Sequence, residues 1–250
     1  MSGHSKWSTI KRQKGVADAK RGAIFTKVAR EVSIAARVGG GDPDANYRLR
    51  LAIEKARSVN MPADNIKRAI DKATGGSATE QFEEIVYEGY GPGGVAILVE
   101  AATDNRNRTA ADVRSLFAKA GGQLAGAGAV AWQFEPRGVV AIPRDGQDAD
   151  EVALAAIDAG AEDVDAEGDP IEVMTSPGDL EQVRRAIEQA GYTVESAEVS
   201  MQPKQTVSLG ASEARRNLRL IDDLEDHDDV QRVTANFDIP EEVFAEAASA

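Results

Sequence analysis

Residues 82–102 read FEEIVYEGYGPGGVAILVEAA. Two apolar, β-branched and aromatic runs flank the turn Gly91-Pro92-Gly93-Gly94, and this predicts strands from Phe82 to Tyr90 and from Gly94 to Ala102. Before this hairpin the apolar residues recur with a helical period; after Ser77 the period is close to two. The chain is therefore expected to be an α+β protein of several domains, with a helical part in front of the hairpin.

Working back towards the N-terminus, a helix is expected from Asp18, with Phe25, Val28, Val32, Ala35 and Ala36 on one face and Gly39-Gly40-Gly41 as its stop. Asp42-Pro43 reads as an N-cap and first helical position, followed by Leu49, Ala52, Ile53 and Ala56 on one stripe. A third helix, about Pro62 to Ala73, carries Ile66, Ala69, Ile70 and Ala73 and stops at Gly75-Gly76. Residues 1–76 are thus expected to form a basic three-helix domain that begins with an arm, Ser2 to Ala17.

Forward of the hairpin, a helix is expected near Asn107-Arg108-Thr109, capped by Asn107 or Thr109, and a strand from Gly128 to Glu135. Residues 137–202 follow the order β-α-β-β-α-β, which is the ferredoxin-like arrangement. A strand at Thr206-Val207-Ser208-Leu209, a helix from Ala211 and a strand from Val230 to Phe237 are too few to form a domain alone. They are expected to complete the sheet begun at residue 82. Residues 77–136 plus 203–240 then form one split α/β domain into which 137–202 is inserted, and 241–250 is an acidic tail.

The chain has 250 residues and a net charge of −13. Its charge is unevenly placed: residues 1–76 hold 16 Lys/Arg against 7 Asp/Glu, a net of +9, and the remainder carries −22. Such a split speaks to partners, and a basic end on an acidic chain fits an anionic polymer. The candidate nucleic-acid-binding residues are Lys6, Trp7, Lys11, Arg12, Lys14, Lys20, Arg21 and Lys27, with Trp7 available to stack on a base. The segment Asp104 to Thr109 reads either as a capping loop or as a place where Arg106 and Arg108 donate to a phosphate or acidic partner. No helix-turn-helix pattern is present, so backbone or RNA-shape recognition is expected rather than groove readout.

Other chemistries find little support. The chain has no Cys, which removes disulfides, thiolate metal sites and cysteine nucleophiles. The Gly-rich run from Gly121 to Gly128 lacks the Lys-Ser/Thr of a P-loop and reads as a helix stop and turn. His4 and His227 stand apart from any ligand or triad spacing. Glu83, Glu84, Glu88 and Glu100 could group around a divalent cation, so a metal-dependent enzyme is carried as a remote alternative. No cofactor and no catalytic residue are expected. Neither a membrane span nor an apolar stretch behind the basic N-terminus is present, and a cytoplasmic location is expected. The acidic, weakly aromatic domains suit a protein partner more than RNA.

Several strings resemble one family, the YebC/PmpR proteins, which includes mitochondrial translational activators of cytochrome oxidase. They are Gly3 to Trp7, Asp18 to Gly22, Ile24 to Lys27, Gly39 to Asn46, Tyr87 to Gly94 and Thr103 to Thr109. The resemblance implies three domains: helical, split α/β, and a ferredoxin-like insertion. It implies a non-enzymatic factor in gene expression. Members are described mostly as probable transcriptional regulators binding DNA, and some as translation factors acting on the ribosome to help synthesis of proline-rich stretches.

Overall fold

A computed structural model describes residues 18–75, 82–240 and 243. The arm and the rest of the acidic tail lie outside the described residues. The described residues form two compact units. One takes residues 18–75, 82–130 and 212–233; the other takes residues 131–211, 234–240 and 243. The architecture is α+β, with an N-terminal helical region ahead of β-containing parts.

The first unit opens with α1 (Asp18–Gly39), α2 (Tyr47–Ser58) and α3 (Ala63–Thr74). The apolar spacing read from the sequence is the packing: Val28, Val32, Ala35 and Ala36 of α1 are buried against Leu49, Ala52, Ile53 and Ala56 of α2 and Ile66 of α3. The cap of α2 is not Asp42 but Asn46. Its Oδ1 accepts from Leu49 N at 3.1 Å, and its Nδ2 donates to the carbonyls of Ala35 and Gly40, each at 2.8 Å. One side chain therefore closes α1 and starts α2. It fills the space a side chain at Gly39 would need, since a Cβ there would lie 2.5 Å from Asn46. Asp42 instead accepts from Asp44 N at 2.9 Å, a local turn that competes with helix.

The sheet of this unit has the order β3-β1-β2-β9, from β1 (Glu83–Tyr90), β2 (Ala96–Thr103), β3 (Gln123–Leu124) and β9 (Val230–Ala235). β1 and β2 pair antiparallel from Glu83 opposite Thr103 to Tyr90 opposite Ala96. β2 is flanked on both sides and buried almost throughout, which explains its unbroken apolar run. Asn217 of α7 (Ala211–Glu225) donates to Pro92 O at 2.8 Å, fixing that helix on the hairpin turn. A Cβ at Gly91 would sit 2.1 Å from Asn217 Oδ1, so only glycine fits there.

After β2, α4 (Arg106–Ala120) starts one residue earlier than the sequence suggests. Asn105, not Asn107 or Thr109, caps it, accepting from Arg108 N at 3.1 Å. Gly121 ends it in the left-handed region at φ 83°. Two residues of the Gly-rich run then form β3, an edge strand on β1.

The second unit is built on a sheet of order β5-β6-β4-β7. Its elements are β4 (Phe134–Ile142), α5 (Ala149–Asp158), β5 (Asp163–Asp165), β6 (Ile171–Thr175), α6 (Leu180–Gln189) and β7 (Ser196–Pro203). Chain order and antiparallel pairing are those of a ferredoxin-like fold. Val140, Ile142, Ile171 and Val173 of the sheet meet Val152 and Ala156 of α5 and Leu180, Val183 and Ile187 of α6.

Two expectations change here. Gly128 to Gln133 is turn and 3-10 helix, and the strand beyond it runs without a break from Phe134 to Ile142, across the boundary expected at 136/137. Its partner β7 follows it the whole way, Phe134 opposite Pro203, which is why the strand does not stop at residue 136. Second, β8 (Val207–Ser208) does not join the large sheet of the first unit. It pairs parallel with β10 (Phe237–Asp238), while β9 alone adds to β2.

Candidate nucleic-acid interface

Helices α1 and α3 leave a cleft of about 510 Å³ between them. Its lining residues come from one face of each helix: Arg30, Ser33 and Arg37 on α1 and Asn65, Arg68 and Lys72 on α3, spaced three, four or seven apart. Phe25, Met61 and Phe82 supply apolar wall. Among the described residues four cations thus line the cleft with one acid, Asp104. That acid is already engaged, 2.9 Å from Arg108.

One wall is held by a buried carboxylate. Asp229, at 3% exposure, accepts from Arg30 at 2.9 Å and from Arg108 at 2.7 Å. The hydroxyls of Thr109 and Thr103 lie 2.7 and 3.1 Å from its Oδ2. Burial pushes the Asp229 carboxyl up, but hydrogen bonds from Arg108 and Thr109 and the charges of Arg108 and Arg30 outweigh it, holding the group down at about 2. Arg30 also donates to Asp228 O at 2.6 Å and lies 4.9 Å from the centre of the Phe82 ring. The pairing fixes Arg30, and Arg30 in turn fixes Phe82 in the cleft wall.

The sequence candidates are placed as follows. Lys6, Trp7, Lys11, Arg12 and Lys14 lie outside the described residues. Lys20 and Arg21 belong to α1, with side chains outside the description. Lys27 donates to the carbonyl of Glu225 at the C-terminal end of α7, a favourable place for a cation. Arg108 is spent on Asp229 and Asp104. Arg106 is 68% exposed and 3.6 Å from Glu83. The cleft residues Arg37, Arg68 and Lys72 were not singled out by the sequence. Their signal was present in the spacing of basic residues on two helices, but only the packing of α1 on α3 brings them to one groove.

Three of the four carboxylates expected as a remote metal site, Glu83, Glu84 and Glu88, are otherwise occupied. Glu88 accepts from Gly128 N at 2.6 Å and Val130 N at 2.7 Å, pinning the Gly-rich run. Glu84 pairs with Arg48 and Glu83 with Arg106. Among the described residues no group of three or more His, Asp or Glu is placed to hold a metal ion. His227 accepts from Asp229 N at Nδ1 at 3.1 Å and meets Asp112 at 3.3 Å through Nε2, so its ring braces the Asp229 loop. Among the described residues no helix is long and apolar enough to cross a membrane.

Residues 5–76 match the family described as "TACO1/YebC protein N-terminal domain", and residues 82–237 match "TACO1/YebC second and third domain". A protein of Rubrobacter xylanophilus named "Probable transcriptional regulatory protein" is 58% identical over 249 residues, covering 99% of this chain and 100% of that one. One of the same name from Pelotomaculum thermopropionicum is 54% identical over 241 residues, covering 96% and 99%. The crystal structure of a conserved hypothetical protein from Aquifex aeolicus superposes with a TM-score of 0.85 at 45% identity, over 90% of this chain and 93% of the other. With both of its parts matched and relatives aligned end to end, the chain belongs to the TACO1/YebC family.

Proposed function

We propose that this protein is a non-enzymatic regulator of gene expression that binds nucleic acid through its basic N-terminal region. The carrying observation is the α1/α3 cleft: among the described residues it is lined by Arg37, Arg68 and Lys72, by Arg30, which is paired with Asp229, and by one acid, Asp104, on a chain whose net charge is −13. Its relatives' names, as transcriptional regulators, support the same reading and favour DNA as the target. Binding of purified protein to promoter DNA and to scrambled DNA at physiological salt tests it. Preference for the promoter is expected; equal, weak affinity for both overturns the DNA-regulator reading.

A second reading, a ribosome-associated translation factor, is favoured by the charge split. Residues 77–250 carry −22, which a long duplex repels, while a basic end can enter a crevice in ribosomal RNA. Sucrose-gradient fractionation of lysate in low salt distinguishes the two. Sedimentation with ribosomal particles, lost when residues 1–20 are removed, is expected on this reading, and protein confined to the top fractions rules it out.

A further inference from the structure

We infer that the α1/α3 cleft takes one unstacked nucleotide of a single strand, its phosphate held by Arg68 and Lys72 and its base laid against Phe82. This rests on the nucleic-acid reading above and narrows it to a strand form and a place. Three features of the cleft carry it.

The first is shape. A duplex keeps its bases stacked inside and offers phosphates on a convex surface, so a ridge of cations suffices to bind it. Here the cations surround a concavity of about 510 Å³. That lies within the range of roughly 300–1,000 Å³ typical of pockets that enclose a small ligand. A single strand can turn a base into such a space; a stacked duplex cannot without base flipping.

The second is the pairing of charge with aromatic and apolar wall. Arg68 and Lys72 stand one turn apart on α3, about 6 Å along its axis, and face the same groove as Arg37. Phe25 and Phe82 line the same cleft. Cations beside an aromatic ring are the elements by which single strands are held, one for the backbone and one for the base.

The third is preorganisation. Arg30 lies 4.9 Å from the centre of the Phe82 ring and is itself tied to Asp229 at 2.9 Å. The ring is thus set before a ligand arrives, and little side-chain freedom remains to be lost on binding.

The test is fluorescence anisotropy of the full chain with three probes: an unstructured 12-mer RNA, the same sequence as single-stranded DNA, and its 12-bp DNA duplex. Each is titrated with wild type, Phe82→Ala, Phe82→Trp and Arg68→Gln/Lys72→Gln. Both single strands are expected to bind at least tenfold tighter than the duplex, and the RNA and DNA arms show whether the 2′-hydroxyl matters. Phe82→Ala is expected to weaken single-strand binding roughly 5- to 150-fold while leaving the duplex affinity unchanged. Phe82→Trp retains or strengthens it, which separates loss of stacking from loss of fold. The double cation variant is expected to lower the salt slope for single strands by about 1.4. Duplex binding as tight as single-strand binding, or an unaffected Phe82→Ala variant, overturns this inference and leaves the nucleic-acid reading standing. Failure of wild type to bind any of the three probes overturns both.

Discussion

Arg30 of α1 is paired with Asp229 at 2.9 Å, across 199 positions of sequence, and Arg108 reaches the same carboxylate at 2.7 Å. A carboxylate this deeply buried is held in place by its partners, and removing it leaves Arg30 in a low-dielectric site without its counter-charge. Asp229→Ala is expected to cost about 3–5 kcal/mol in urea denaturation. A double-mutant cycle with Arg30→Met should show the two changes to be strongly non-additive, and simple additivity would mean that the pair is not coupled.

The same group sets an acid limit. Asp229 titrates near 2 in the fold, against an ordinary value of 3.8. A carboxylate whose value is lowered by folding favours the native state while ionised. Its contribution is complete above about pH 4 and is lost as the pH falls towards 2. Wild type is expected to lose stability through that window, and Asp229→Asn to lose less of its remaining stability there. Parallel acid-unfolding curves for the two proteins would contradict the assignment.

Asn46 and Asp42 offer a matched pair of substitutions. Asn46→Ala removes the acceptor for Leu49 N and the donor to two carbonyls, and is expected to cost about 1–3 kcal/mol. Asp42→Ala removes one exposed turn bond and is expected to change stability by about 0.5 kcal/mol or less. Thermal melts of both variants decide which residue caps α2.

Gly91→Ala is expected to destabilise by about 1–3 kcal/mol, because its Cβ falls on Asn217 Oδ1. Asn217→Ala is also destabilising, through loss of the bond to Pro92 O. The double variant should cost less than the sum, since truncation of Asn217 relieves the clash.

Lys11→Ala/Arg12→Ala/Lys14→Ala tests the arm. If all three side chains neutralise phosphates of a single strand, the salt slope falls by about 2; for a duplex it falls by about 2.7. An unchanged slope places the phosphate contacts elsewhere.

Much of the fold was legible because burial follows period. Val28, Val32 and Ala35 fall on one helical stripe, and the alternation of strands and helices from residue 137 to 202 spells a ferredoxin-like order. Caps were less legible. Asp42-Pro43 carries a helix-start signature, yet Asn46 wins because it reaches both the Ala35 carbonyl of α1 and the Leu49 N–H of α2. The continuity of β4 was hidden because it is set by pairing with β7, distant in sequence, which runs opposite it from Phe134 to Ala141. Among the site candidates, Lys27 and Arg108 carry the same charge as Arg68 and Lys72. Lys27 reaches the Glu225 carbonyl and Arg108 reaches Asp229, and partners that lie 198 and 121 residues away leave no local mark.

The place of β9 in the sheet has a consequence for how the chain matures. β2 is flanked by β1, which precedes it closely, and by β9, which begins at Val230. During synthesis the buried apolar strand waits, one edge unpaired, while the whole of residues 131–211 is made. Until residues 212–233 emerge, neither α7 nor the Asp229 carboxylate is there to lock α1. The first unit therefore closes late, after the four-stranded sheet of the second has all its strands, and the nascent chain carries an open sheet edge of the kind that recruits chaperones or pairs wrongly. A released chain ending near residue 210 should be protease-sensitive in residues 18–130 and resistant in the four-stranded sheet of residues 134–203.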